Sequence, residues 1–467
     1  MDATALARAV ATGEASPEEL LDAAIARCDA LDPSLGAVPL RHDAVARARL
    51  GDLPEGPFRG VPFLLKDLGA EARAHPSHMG SRLFVDTSFA RDSAVYERLA
   101  GAGLNTFGRT AAPEGGIGPV TEAAVYGAPT RNPWDPSRTP GGSSGGSGAA
   151  VAARIVPAAH GSDGGGSIRI PASCCGLVGL KASRARVPDG PYAGEGWAGM
   201  AIEGVLTRSV RDTARLMDVL SGPDLGAPYH APPLLGSFAV ALEREPGILR
   251  VALCETAFTG ERVHPACAGA AREAGKLLEA LGHRVEEARP EADHADMMAA
   301  WTDIVACGTA LAVSRAARRR GLAAPPVEGI ARGAVRHAGG ISGADYLDAV
   351  ERVHAYGRQM AAFLSRHDVL LSPTLAEPPA RIGRFSHDRE DYVDYRTGPG
   401  GVFAYSPFCA PFNASGQPAV SLPLAMHEDL PVGVQLAMAM GRDETLVSLA
   451  AQIERAAPWG HRRPPIS

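Results

Sequence analysis

Two glycine–serine clusters constrain this chain more than any other feature: Gly141-Gly142-Ser143-Ser144-Gly145-Gly146-Ser147-Gly148, and Gly161-Ser162-Asp163-Gly164-Gly165-Gly166-Ser167. A Gly/Ser tract alone reads as a flexible linker. Here the clusters enclose AAVAARIVPAAH, an apolar segment suited to a buried helix and then a strand. Linkers do not enclose core sequence. Glycine-rich turns at helix starts also cradle phosphate, but no G-x-x-x-x-G-K-[ST] and no clean G-x-G-x-x-G follows a strand here. The G-x-S-x-G nucleophile elbow fails as well. Gly142-Ser143-Ser144-Gly145 is one residue short, and Ser167 is followed by Ile168-Arg169. A serine–histidine–acid hydrolase is therefore disfavoured.

Around the clusters, helical and strand-like segments alternate. Ser16-Pro17-Glu18-Glu19 opens a helix with an N-cap, a first-turn proline and a capping-box glutamate. Ser209 and Ser342 begin similar starts, and further helices are expected over about 264–281 and 443–456. Short apolar runs at 250–254, 368–371, 418–422 and 432–438 read as buried strands. The expected fold is α/β. Residues 224–247, rich in proline, glycine and alanine, read as a surface connection, and the arginine-rich 317–340 as a solvated helical excursion.

A net charge of −6 argues against nucleic acid or an anionic membrane as the main partner. No run of eighteen apolar residues predicts a spanning helix, and MDATALARAV does not read as a secretory signal. Seven scattered cysteines make no disulfide framework, so a reducing cytoplasm is expected. Only three of the 46 basic residues are lysines: Lys66, Lys181 and Lys276. Codon bias accounts for the overall ratio. A buried lysine can nevertheless supply a neutral amine and arginine cannot, so each is a candidate for chemistry.

Residues 141–181, from GGSSGGSG to Lys181, resemble the signature of the amidase signature family. Gly60-Val61-Pro62-Phe63-Leu64-Leu65-Lys66-Asp67, Thr130-Arg131-Asn132-Pro133-Trp134 and Phe412-Asn413-Ala414-Ser415-Gly416-Gln417-Pro418-Ala419 extend the resemblance over nearly the whole chain. The branch it is most similar to contains the 6-aminohexanoate cyclic-dimer hydrolases, which open small cyclic amides. The resemblance implies one large domain over residues 1–467, with a central mixed β-sheet covered on both faces by α-helices. Its parts would be a helical region of about 1–60, a signature core of about 60–222, and a C-terminal part of about 248–467. The last carries a helical excursion over about 293–367. It also implies a nucleophile at Ser167, a relay at Ser143 preceded by a cis peptide bond, and a base at Lys66. The oxyanion hole would be the backbone N–H groups of Gly164, Gly165, Gly166 and Ser167.

Elementary chemistry agrees with these roles. A serine needs a neighbouring base to become nucleophilic, and serine–lysine pairs are one variant of that logic. Burial neutralises the lysine by penalising its ammonium form. Consecutive glycines let amides converge on one oxygen without side-chain obstruction.

Asp163 and Arg169 flank the nucleophile and read as a buried ion pair bracing the loop, with Ser144 and Ser162 as supporting hydrogen-bond partners. Ile117, Cys307, Trp197 and Tyr405 are candidate substrate-pocket residues. Lys181 and Lys276 read as ordinary. His75 and His78 lack a third ligand, so no metal site is expected. Cys174-Cys175 reads as small apolar packing. Two departures from the family pattern bear on the substrate: Arg109 stands where many members carry lysine, and Ile117 is apolar where some place a polar side chain.

The main reading is an amide hydrolase without a cofactor, acting on a small linear or cyclic carboxamide, with neither nucleic acid nor membrane as partner; a homodimer is compatible with it. The alternatives are the A subunit of a tRNA-dependent amidotransferase, which usually carries glutamine where this chain has Ile170, and a non-catalytic binding protein of the same fold.

Overall fold

The alternating apolar segments assemble into one mixed sheet of eleven strands in the computed structural model, which describes all 467 residues. In chain order the strands are β1 (Leu40–Arg41), β2 (Pro62–Lys66), β3 (Asn105–Thr110), β4 (Ala158–Asp163), β5 (Val178–Lys181), β6 (Ile202–Thr207), β7 (Arg250–Leu253), β8 (Arg284–Glu287), β9 (Val369–Pro373), β10 (Ala419–His427) and β11 (Leu430–Met438). Their spatial order is β1-β3-β2-β4-β6-β5-β10-β11-β9-β7-β8. β2 runs parallel to β3 and β4, whereas β4, β6, β5, β10 and β11 pair antiparallel in succession.

Both faces of the sheet are buried. Leu64 packs in one hydrophobic cluster while its neighbours Phe63 and Leu65 pack in the other. Successive strand residues point to opposite faces, so helices must cover both sides. The helices Gly145–Ala152, His294–Arg320 and Gly343–Arg366 contribute to the first cluster; Val210–Leu220, Pro265–Ala280 and Asp443–Ala456 contribute to the second. The expected caps form. Ser16 and Ser342 each complete a reciprocal capping box, and Ser209 accepts from Asp212 N–H.

Two expectations need correction. Residues 317–340 are not simply a solvated excursion: the helix Gly329–Ala338 buries Ile330, Ala331 and Ala334 in the first cluster. The 27-residue helix His294–Arg320 is also long and apolar enough to cross a membrane, although no run of eighteen apolar residues occurs in it. More than half of its apolar stretch is buried inside the fold, where it packs against Gly343–Arg366.

Candidate active site

The two glycine clusters meet at the carboxyl ends of the parallel strands β2 and β4, where open α/β sheets commonly place their sites. Lys66 is the last residue of β2 and Asp163 the last of β4. Ser143 precedes the helix Gly145–Ala152, and Ser167 lies just before the helix Arg169–Cys175. The Gly142–Ser143 peptide bond is cis. The amide of Ser144 donates to the Ser167 carbonyl at 3.1 Å and ties the two serine segments together.

Lys66 is fully buried, with Nζ 2.6 Å from Ser143 Oγ and 2.8 Å from Ser162 Oγ. Burial lowers its pKa from 10.5 to about 7, opposed by the carboxylates of Glu203 and Asp163. A neutral amine against a serine hydroxyl is what a base needs. Ser143 is 2 % exposed, whereas Ser167 stays partly open to solvent. The Ser143 and Ser167 hydroxyls are not hydrogen-bonded to each other; this contact commonly tightens only with substrate bound.

The loop between β4 and Ser167 is held from beneath. Arg169 grips both Asp163 oxygens, at 3.0 Å and 2.9 Å, with both side chains fully buried. Burial would raise the Asp163 pKa, but Arg169 and Asn413 hold its carboxyl well below the usual range. Asn413 donates to the Asp163 carbonyl and side chain, both at 2.9 Å, and its Oδ1 accepts from Arg169 at 2.6 Å. The distant Phe412–Asn413 motif thus locks the loop.

The bracing corrects one expectation. Asp163 Oδ1 accepts the N–H of Gly166 at 2.7 Å, so that amide faces the carboxylate and is not free for an oxyanion. The N–H groups of Gly164, Gly165 and Ser167 carry no such partner. A side chain in this run would collide: a Cβ at Gly164 would lie 2.5 Å from the Trp197 ring, and one at Gly165 2.8 Å from the Trp301 ring. Gly166 adopts φ +126°, which L side chains rarely take.

The four candidate pocket residues divide. Trp197 is half-buried over Gly164 and meets Trp301 edge-on at 5.9 Å. Cys307 is half-buried beside Gly308, where a Cβ would be 2.7 Å from Trp197. Ile117 is 2 % exposed, and its carbonyl accepts from Arg396. Tyr405 is not a pocket residue. It is fully buried, and its hydroxyl accepts from Ala380 N–H at 3.3 Å, because the short helix Val402–Tyr405 turns it into the core.

Further residues here were not singled out from the sequence. Trp301 donates from Nε1 to the Gly164 carbonyl at 3.0 Å. Behind Lys66, its backbone N–H donates to His160 Nδ1 at 3.3 Å, and His160 Nε2–H donates to Glu203 at 2.7 Å. Burial raises the Glu203 pKa, and Lys66 opposes that shift. Arg109, a departure in sequence, serves the backbone: it donates to the carbonyls of His75, Lys66, Gly69 and Ala70. Lys181 is not ordinary either. It is 2 % exposed, donates to the Ala182 carbonyl at 2.9 Å, and burial lowers its pKa to about 7.

The family model described as Amidase matches residues 19–447. The chain is 39% identical to 6-aminohexanoate-cyclic-dimer hydrolase of Paenarthrobacter ureafaciens, over 99% of this chain and 96% of that one. It is 33% identical to an acylamidase of Rhodococcus erythropolis, over 99% and 97%. A solved structure of 6-aminohexanoate cyclic dimer hydrolase complexed with substrate superposes with a TM-score of 0.94, at 37% identity, covering 100% of this chain and 99% of that one.

Proposed function

The chain belongs to the amidase family and is a hydrolase acting on amide bonds; from that premise we propose that it cleaves a small linear or cyclic carboxamide through an acyl-serine intermediate at Ser167. The observation that carries this reading is the buried Lys66 amine, 2.6 Å from Ser143 Oγ and with its charged form disfavoured.

In this mechanism neutral Lys66 takes the proton of Ser143 as Ser143 takes that of Ser167. Ser167 Oγ attacks the amide carbon, and the oxyanion forms before the N–H groups of Gly164, Gly165 and Ser167. Collapse breaks the C–N bond, and Ser143 returns a proton to the departing amine while Lys66 reprotonates Ser143. Water repeats the sequence at the ester, releasing the acid and restoring Ser167. Each preorganised amide donor contributes about 3–4 kcal/mol to the transition state. Asp163, Arg169 and Asn413 position the loop and touch no reacting atom.

The substrate class is a small, uncharged or weakly polar amide. Two relatives carry the names of a cyclic-dimer hydrolase and an acylamidase, and Ile170 occupies the position where the amidotransferase subunit usually has glutamine. All seven cysteines are free, which supports placing the enzyme in a reducing compartment. The test is kcat/KM for an aliphatic or aryl amide, a cyclic amide, glutamine and a dipeptide, without any added protein. Preference for the neutral amides is expected. Preference for glutamine, or activity only with tRNA and partner subunits, would refute the reading.

A further inference from the structure

The helix Gly145–Ala152, which starts beside Ser143, closes at its far end with an arginine in a place that suits glycine. Arg154 N–H donates to the Val151 carbonyl and Ile155 N–H to the Ala150 carbonyl, the paired bonds of a Schellman motif. The motif holds Arg154 at φ +61°, a left-handed conformation that strains any residue with a Cβ and leaves glycine at ease. The side chain gains no compensating bond at its Nε, which is buried without a hydrogen-bond partner.

Three more arginines gather around it. Arg27 Nε and Nη2 donate to the carbonyls of Arg154 and Ala153, at 2.7 Å and 2.9 Å. Arg208 Nη1 donates to those of Val151 and Val156, at 3.2 Å and 3.0 Å. Such bonds engage neutral acceptors and leave both positive charges uncancelled. Burial lowers the Arg208 pKa to about 10, helped by the charges of Arg154 and Arg27. Burial, Arg463 and Arg27 lower that of Arg154 in the same way. The carboxylates that act on Arg208 are engaged elsewhere: Asp212 accepts the N–H groups of Ala3 and Thr4, and Asp2 pairs with Arg211. Four like charges gathered in this way repel one another, and a bound anion would relieve the repulsion.

All four arginines line one cavity of about 360 Å³, within the range of small-molecule sites. No aspartate or glutamate lines it. Its remaining walls are apolar: Leu6 and Leu20 come from the helices Ala3–Ala11 and Pro17–Leu35, and Ile155 and Val156 from the chain that leads into β4. Pro62 at the amino end of β2 also lines it, so the length of that strand, about 13 Å, lies between the cavity and Lys66. An inorganic anion would satisfy the guanidinium groups and leave the apolar walls wet. A neutral apolar molecule would leave the charges unpaired, and an alkyl ammonium would be repelled. An aliphatic carboxylate meets both needs, with its head on a guanidinium and its chain on the leucines. We propose that Arg27, Arg154, Arg208 and Arg463 form a second ligand site, remote from the catalytic serines, that binds an aliphatic carboxylate. The site is independent of the amide-hydrolase reading above.

The experiment is calorimetric titration of the whole chain with octanoate, acetate and octylammonium, in wild type, Arg154→Gly and Arg154→Gln. Octanoate should bind wild type at least about tenfold more tightly than acetate or octylammonium. Each variant should weaken octanoate binding by about tenfold or more, as expected for the loss of a charge-assisted bond. Glycine fits the left-handed turn, so Arg154→Gly should keep the fold, and thermal unfolding checks that it does. Octanoate should raise the unfolding temperature of wild type and leave that of both variants unmoved. Absence of octanoate binding, or equal affinity for acetate or octylammonium, overturns the proposal. So does octanoate binding that is unchanged in both variants, as for a carboxylate held at the catalytic serines.

Discussion

Replacing Lys66 by methionine should abolish activity and yet make the protein more stable in mildly alkaline solution. Burial lowers the Lys66 pKa from 10.5 to about 7 in the native state, whereas the unfolded lysine keeps its ordinary value. Between these limits the unfolded chain binds one proton more than the native one, so native stability rises by about 1.4 kcal/mol per pH unit. At pH 8 the native state still bears a penalty of about 3 kcal/mol for keeping this lysine neutral; at pH 10 it bears less than about 1 kcal/mol. Methionine removes the penalty but also removes the contacts to Ser143 and Ser162 at 2.6 Å and 2.8 Å, each contributing about 1 kcal/mol. The variant should therefore be about 1 kcal/mol more stable than wild type at pH 8 and about 1 kcal/mol less stable at pH 10. Urea unfolding of both proteins at the two pH values measures the difference. A stability difference of the same sign and size at pH 8 and pH 10 would show that Lys66 is protonated in the native enzyme and refute the argument.

Other outcomes follow from neighbouring groups. The Glu203 carboxylate favours the charged form of Lys66, so Glu203→Gln should shift the acid limb of the kcat/KM profile to lower pH; an upward shift, or none, would exclude that coupling. Gly166→Ala would force a side chain onto a φ of +126°, with a Cβ 2.7 Å from Cys409 Cβ, and should lower kcat by about a hundredfold or more; near-normal kcat in a folded variant would contradict the role given to the loop. Arg169→Met should destabilise the protein by about 3–5 kcal/mol at neutral pH, because it leaves the Asp163 carboxylate buried without its counter-charge. With Arg169 present, Asp163 is held below its ordinary value and stabilises the fold above about pH 4. Without Arg169, burial raises that pKa and acid protonates the group, so the destabilisation should shrink as the pH is lowered. Thermal unfolding at neutral and acid pH checks this, and a pH-independent loss would oppose it.

Local features were legible in the sequence because their causes are local. The capping boxes at Ser16 and Ser342, the helix Asp443–Ala456 and the buried runs of β10 and β11 all depend on residues a few positions apart. The meeting of Lys66 with Ser143 was legible through the family motif, and the glycine run had a chemical reason in its own right. Features set by long-range packing were not. The Trp301–Gly164 bond spans 137 residues and the Asn413–Asp163 bond 250, and no spacing rule connects them. Nothing local told which glycine amide Asp163 would capture, or that Tyr405 would turn into the core. Lys181 looked ordinary because burial, not its neighbours in sequence, lowers its pKa.

The central claim is that Ser167 is the nucleophile, activated by neutral Lys66 through Ser143. The most direct measurement is mass-spectrometric mapping of the enzyme after reaction with a serine-reactive fluorophosphonate, in wild type and in Ser167→Ala. A single adduct on the peptide containing Ser167 is expected, forming faster as the pH rises through about 7 and absent from the folded, inactive alanine variant. An adduct on another serine, or amide turnover retained by Ser167→Ala, would contradict the account.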